Sequence, residues 1–170
     1  HFKYLLEGVS RGIKNIFVEK PLALSFQEIK KESKRLNVYK GKITVGYNLR
    51  FHHLIQKIKK IIESNKYGRP IRATLNVGYY LPFWHSYEDY RLSYAAKKQL
   101  GGGVLRTLSH EIDLAQFLFG DFKTVHHADI EKISDLEIDV DDYAYILAEM
   151  VSGVKVEIKM DYLRPLPERK

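Results

Sequence analysis

Residues 101–120 read GGGVLRTLSHEIDLAQFLFG. Three consecutive glycines run into a helical pattern whose apolar positions include Leu108, Ile112, Leu114, Phe117 and Leu118. That pattern carries one histidine, His110, beside Glu111 and Asp113. Glycine weakens a helix, so three in a row point to close approach of the backbone to a ligand or to another element. They also leave the helix N-terminus open, where free N–H groups favour an anionic or carbonyl oxygen. His110 reads in one of two ways, as a packed structural residue or as a functional imidazole. The glycines favour the second.

On the N-terminal side, HFKYLLEGVSRG (1–12) spaces Phe2, Leu5, Leu6 and Val9 on one helical face, with Gly12 suited to its C-terminal cap. In NIFVEKP (15–21), Ile16, Phe17 and Val18 form a short continuous apolar run, the pattern of a strand buried on both faces, and Pro21 stops it. SFQE (25–28) is a capping box that opens a helix through about Asn37. KITVGYN (42–48) is a second β run. Helix, strand, helix, strand at these lengths predicts a parallel βαβ unit, the tail end of a doubly wound α/β domain.

The style then changes. HLIQKIKKIIESN (53–65) is an amphipathic helix ended by KYGRP (66–70), and IRATLNVGYYL (71–81) reads as a long strand. An aromatic loop, Trp84 to Tyr94, leads to the glycine stretch. After Gly120 come TVHHADIEKI (124–133) and two β-forming runs within 141–162 joined at Gly153, a hairpin. Successive strands joined by short turns predict an α+β domain with a mostly antiparallel sheet. The expected division is residues 1–50 and residues 51–170. The chain opens at His1 in mid-helix and reads as a fragment.

Composition narrows the chemistry. There is no cysteine, hence no disulfide, thiolate or Cys-ligated metal. No apolar run approaches the roughly 20 residues of a membrane helix, and no signal peptide opens the chain, so no membrane contact and a cytoplasmic location are expected. The net charge of +7 comes from lysines scattered through KKESKR (30–35) and KIKKII (57–62), which read as solvated helix faces. Nucleic-acid binding asks for one basic stripe with interleaved aromatics, and none is present. A basic surface also attracts an anionic substrate or cofactor phosphates. His52–His53 and His126–His127 are adjacent pairs whose side chains should diverge in a regular element, and HExxH spacing is missing, so no metal site is expected.

Two further groups stand where ligands bind. Lys20 lies between Glu19 and Pro21 at the C-terminal end of the first strand, the end that faces the ligand crevice in open α/β sheets. The Lys20–Pro21 bond admits the cis isomer. GYNLRF (46–51) brings an amide, Asn48, and a guanidinium, Arg50, to the same rim.

The combination of VEKPLALSFQE (18–28), GYNLRFHH (46–53) and GGGVLRTLSHEIDLAQFLFG (101–120) resembles the Gfo/Idh/MocA oxidoreductases, the glucose–fructose oxidoreductase and inositol dehydrogenase family. The resemblance spans nearly the whole chain. It implies a Rossmann domain that binds NAD or NADP, followed by an α+β domain that handles substrate and forms homodimers or homotetramers through its sheet. The implied reaction is hydride transfer between a sugar or polyol hydroxyl and nicotinamide. Lys20 then matches the EKP lysine beside substrate and nicotinamide, with Glu19 and Pro21 on the cofactor side. His110 matches the catalytic proton acceptor. Asn48 and Arg50 match the rim motif, Asp113 fits H-x-x-D, and the loop WHSYEDYR (84–91), with Trp84, Tyr90 and Arg91, lies where members contact substrate. Tyr90 and Arg91 hint at a sugar bearing an anionic group, such as a nucleotide sugar.

Two departures from the pattern stand out. Thr107, next to Arg106, occupies a place where many members carry an aspartate. The glycine-rich dinucleotide fingerprint belongs in a preceding segment, and DYLRPLPERK resembles a sheet cut before its last strands. The stretch by itself is therefore expected to be inactive. Thr107 keeps a rival open, a member without turnover that binds ligands or serves as a partner subunit.

Overall fold

The computed structural model describes residues 1–85 and 87–170. The chain divides into two compact units, His1–Asn48 and Leu49–Lys170.

In the first unit, α1 (Phe2–Ser10) precedes β1 (Asn15–Val18), and β2 (Lys42–Val45) pairs parallel to β1 from Asn15 against Lys42 to Val18 against Val45. Gly8 of α1 lies so close to Ile16 that an added Cβ would sit 2.9 Å from its Cδ1, so α1 covers the Ile16 and Val18 face. The opposite face is open. Phe17 is 66% exposed while Val18 is 7% exposed, which corrects the expectation of a strand buried on both sides. A continuous apolar run needs a layer on each face, and the described residues of this unit supply one.

The helix expected through Asn37 is two helices, α2 (Phe26–Lys31) and α3 (Ser33–Val38), broken at Glu32. Ser25 accepts from the Glu28 N–H at 3.3 Å, and the Glu28 carboxylate reaches back to the Leu24 N–H at 3.0 Å, one residue further than a capping box requires.

The second unit opens with α4 (His53–Ser64). His52 precedes the helix rather than lying in it, and its Nδ1 accepts from the Leu54 N–H at 3.3 Å. The His52 and His53 rings consequently stack at 4.7 Å instead of diverging. β3 (Arg72–Tyr80), β4 (Phe122–Glu131), β5 (Tyr143–Met150), β6 (Lys155–Asp161) and β7 (Leu163–Arg169) form one sheet in the order β4-β5-β6-β3-β7. Only β3 and β6 run parallel, so the sheet is mixed and mostly antiparallel.

Strict alternation in β5 and β6 sends Ala144, Ile146, Ala148, Val156, Ile158 and Met160 into the core. Glu149, Lys155, Glu157 and Lys159 fall on the other face, where Lys123 and Lys155 both pair with Glu149. Gly153, at φ +86°, makes the turn between the two strands. β7 was not anticipated, because Pro165 and Pro167 interrupt it. At an edge the missing N–H groups do no harm. The strand is held at Tyr80 against Leu163 and again at Gly78 against Glu168, with the prolines in the irregular stretch between.

α7 (His110–Phe119) sits against the apolar face of the sheet and buries Leu114 and Ala115 in the common core. The aromatic loop is a short helix, α5 (Leu81–Trp84), followed by 3-10 turns at Tyr90–Leu92, Tyr94–Ala96 and Lys98–Leu100. Among the described residues, no helix is long and apolar enough to cross a membrane.

Candidate functional site

The glycine triplet does not open the helix that carries His110. It opens a single turn, α6 (Val104–Thr107); the chain then bends at Leu108 and Ser109, and α7 begins at His110 itself. Gly101 and Gly103 have φ of +83° and +104°, a region that side chains with a Cβ avoid. A Cβ on Gly102 would strike the carbonyls of Tyr94 and Ala95, and one on Gly103 the carboxylate of Asp141. Of the two close approaches that glycines allow, these serve another element of the chain. The N-terminus they leave open is also filled: Val104 N–H donates to the Asp141 carbonyl at 2.9 Å, and Leu105 N–H to its Oδ2 at 2.9 Å. The anion at this helix start is Asp141.

The result is an elbow that presents His110 as the first residue of α7, half-buried, with its Nδ1 shielded from solvent. The next turn buries two acids. Glu111, 1% exposed, accepts from Arg169 Nε of β7 at 2.7 Å. Asp113, 5% exposed, accepts from Arg50 Nε at 2.8 Å and from its Nη2, a two-pronged pair. The Arg50 guanidinium also lies 5.4 Å from the Phe117 ring centre. Two arginines thus neutralise the two carboxylates beside His110. Removing either arginine would leave a buried charge without its counter-ion.

Thr107, 3% exposed at the end of α6, lies under the elbow. The Tyr94 and Tyr162 phenols lie close enough to its hydroxyl to feel it electrostatically. Burial pushes the Tyr162 phenol far above its ordinary value and raises Tyr94 as well, with the contact to Thr107 opposing the shift in both. Both phenols therefore remain protonated donors near neutral pH. Sequence reasoning missed Tyr94, Asp141, Tyr162 and Arg169. A signal existed for one contact alone, since Glu111 stands three residues before Leu114 on a helix face that goes inward.

The remaining candidates stand on other elements of the chain. Trp84 stacks on Tyr79 at 5.1 Å and on His85 at 5.4 Å. Arg91 grips Asp89 through Nε and Nη2 at 2.9 and 2.6 Å and reaches Glu137 at 3.3 Å. The Tyr90 hydroxyl accepts from the Glu137 N–H at 3.3 Å. Arg91 holds the Asp89 carboxyl below the usual range, so this loop presents a guanidinium already matched by two acids. Ser86 of the same loop lies outside the described residues. In the first unit, Glu19, Lys20 and Pro21 follow β1 directly and the Lys20–Pro21 bond is cis. Gly46, after β2, packs against the Glu19 carboxylate, and the exposed Asn48 starts a 3-10 turn.

Comparison with known proteins places this arrangement. The GFO/IDH/MocA C-terminal domain matches residues 55–169, and the chain belongs to that family. Inositol 2-dehydrogenase of Rhizobium meliloti (strain 1021) is 27% identical over 118 residues, covering 69% of this chain and 33% of that protein. Glucose-6-phosphate 3-dehydrogenase of Bacillus subtilis (strain 168) is 26% identical over 168 residues, 93% of this chain and 46% of that protein. The chain therefore spans less than half the length of these relatives. Among solved structures, the WlbA dehydrogenase from Bordetella pertussis in complex with NADH and UDP-GlcNAcA superposes with a TM-score of 0.80 at 23% identity, over 96% of this chain and 49% of that one. That likeness establishes the fold.

Proposed function

We propose that this chain is the substrate-handling part of a protein that oxidises a sugar or polyol hydroxyl and reduces NAD or NADP. The observation that carries the reading is the elbow. It sets one imidazole at a helix start and anchors the helix behind it with two arginine–carboxylate pairs, all of which lies within the family match except Arg50. Imidazole titrates near neutral pH and suits a proton acceptor. His110 takes the proton of the hydroxyl, and the Lys20 ammonium stabilises the alkoxide that develops. The nicotinamide, when bound, accepts the hydride.

The first unit fits part of such a cofactor. β1 and β2 are parallel, and their carboxyl ends carry Glu19–Lys20–Pro21 and Gly46–Tyr47–Asn48, the edge at which doubly wound sheets hold ligands. The turn after β1 is KPLALS, with no glycine-rich phosphate loop. These residues therefore suit the nicotinamide end, and the phosphates need another segment of the whole protein. Residues 1–50 act as the tail of its Rossmann domain, and residues 51–170 supply substrate contacts and a homodimer or homotetramer interface on the sheet.

The test is kinetic. In the whole protein, His110→Ala and Lys20→Ala each lower turnover by roughly two to four powers of ten. The double variant loses less than the summed losses. NAD(P)H affinity, read by its fluorescence, hardly changes with His110→Ala. Near-full turnover in His110→Ala would make the histidine a packing residue. A second reading, a ligand-binding subunit without turnover, is favoured by Thr107, which holds no negative charge near the imidazole. Hydride transfer with any member of a broad sugar and polyol panel removes it.

A further inference from the structure

Three cations gather where α6 meets the entry to β5. Lys98 from the 3-10 turn before the glycines, Arg106 from α6 and Lys132 just after β4 line a recess of about 460 Å³. Three acids, Glu131, Asp139 and Asp141, line it as well.

The formal charges of these six groups cancel, so hydrogen bonding decides which of them remain for a ligand. Asp139 Oδ1 accepts from the Lys98 N–H at 2.7 Å, and Asp141 Oδ2 accepts from the Leu105 N–H at 2.9 Å. Glu131 shares a hydrogen bond with Asp129, which raises its pKa above the ordinary carboxylate value. Each acid is thus engaged by a group of its own chain. The cations keep donors in hand. Arg106 gives Nη1 to the Gly102 carbonyl at 3.2 Å, and Lys132 gives one N–H to the Ser134 carbonyl at 2.6 Å. Neither they nor Lys98 join an ion pair among the described residues. Arg91, the guanidinium that the sequence offers to an anion, is matched by two acids, and Arg106 by none.

A metal ion does not suit the recess, since no three acidic or imidazole groups converge on one point among the described residues. An anion does. Guanidinium and ammonium groups donate to phosphate oxygens, arginine through a two-pronged fork. A phosphate dianion also answers three cations better than a single carboxylate does. The volume lies in the range of small-molecule sites and is larger than a bare phosphate needs. The ligand therefore carries a body, which meets the Ile130 and Val140 side of the recess.

Arg106 stands four residues before His110, about one helical turn. Asp141 both lines the recess and caps α6. The recess and the elbow therefore share a wall.

We propose that this recess binds a phosphorylated small molecule, its phosphate held by Arg106, Lys98 and Lys132. Binding stands on these side chains alone, whereas its bearing on His110 rests on the function proposed above.

The whole protein, with NADH added to fill the nucleotide's own phosphate site, is titrated calorimetrically with ribose 5-phosphate, ribose and acetate. Ribose 5-phosphate should bind with a Kd on the order of 1 mM or tighter, and the other two should give no saturable heat. Arg106→Gln should weaken binding about tenfold or more, the loss of a charge-assisted fork. Lys98→Gln should weaken it about threefold; its exposed ammonium makes no hydrogen bond among the described residues, so this variant decides the matter should Arg106→Gln unfold. Lys60→Gln, an equal loss of charge on α4, should leave the Kd in place. No saturable heat with ribose 5-phosphate, equal binding of ribose or acetate, or an unchanged Kd in either recess variant would overturn the assignment. Kinetics with a substrate that lacks phosphate then identify the source. If ribose 5-phosphate raises KM alone, the phosphate is one that a substrate carries; if it changes kcat, the ligand is a separate effector. Binding with no kinetic effect strikes the link to His110 and leaves the recess standing.

Discussion

At α2 and at α6 a side-chain oxygen accepts from the backbone of the first turn, and the two oxygens come from very different places. At α2, Ser25 and Glu28 satisfy N–H groups within four residues of themselves. At α6, the acceptor is Asp141, 36 residues away from the Leu105 N–H it holds. The first cap stabilises one short helix. The second joins the glycine triplet, α6 and the entry to β5 into one piece, and three consecutive glycines are the condition for the backbone to come that close. A local cap makes a helix start; a distant one makes a helix start part of the tertiary core.

The sharpest way to break this contrast is at Gly103. Gly103→Ala forces a Cβ into a left-handed backbone against the Asp141 carboxylate and should cost on the order of 3 kcal/mol in urea or thermal unfolding. Asp141→Ala leaves the Leu105 N–H without its acceptor and should cost about 2 kcal/mol. Combined, the two should lose clearly less than their sum, because the second removes the atoms that the first collides with. Strict additivity would show that the carboxylate and the glycine are independent.

Ser25→Ala is the counterpart and should cost about 1 kcal/mol, the ordinary worth of a local cap. Paired with Gly103→Ala it should add without coupling, since the two positions share no partner. A coupling comparable to that of Gly103 with Asp141 would erase the distinction between local and distant caps.

The smallest effect lies on the outer face of the sheet. Hydrogen bonds from Lys123 and Lys155 hold the Glu149 carboxyl down to about 2. A carboxyl depressed on folding adds stability that is complete above its unfolded value, about 4.3, and that fades as pH falls towards 2. Urea midpoints followed across that window should drop less steeply in Glu149→Gln than in the parent. High salt should shrink the difference, because the two lysines that pair with it are exposed. Identical slopes would mean that the pairs contribute nothing to folding.

Legibility followed the distance over which each feature is decided. The β5–β6 hairpin shows in the sequence because alternation and Gly153 are local. The box at Ser25 shows for the same reason, apart from its shift by one residue to Leu24. β7 does not, since prolines argue against a strand until an edge position excuses them. The double burial expected of β1 rests on neighbours, and Phe17 finds none among the described residues of its unit.

At the candidate site, the sequence by itself determined which residues were available: one imidazole, two acids after it, three glycines before it, and a lysine at a strand end. It determined the family as well, because those residues recur in order. Only the tertiary structure decided how they are used. It split the expected helix at Leu108, gave the open N-terminus to Asp141, paired Glu111 with Arg169 and Asp113 with Arg50, and set Thr107 among two tyrosines. Each of these contacts joins residues more than ten positions apart. Hydrophobic spacing and propensity act over one or two turns of chain, whereas the partner of a buried charge or N–H is chosen by which backbone the packed core brings alongside it.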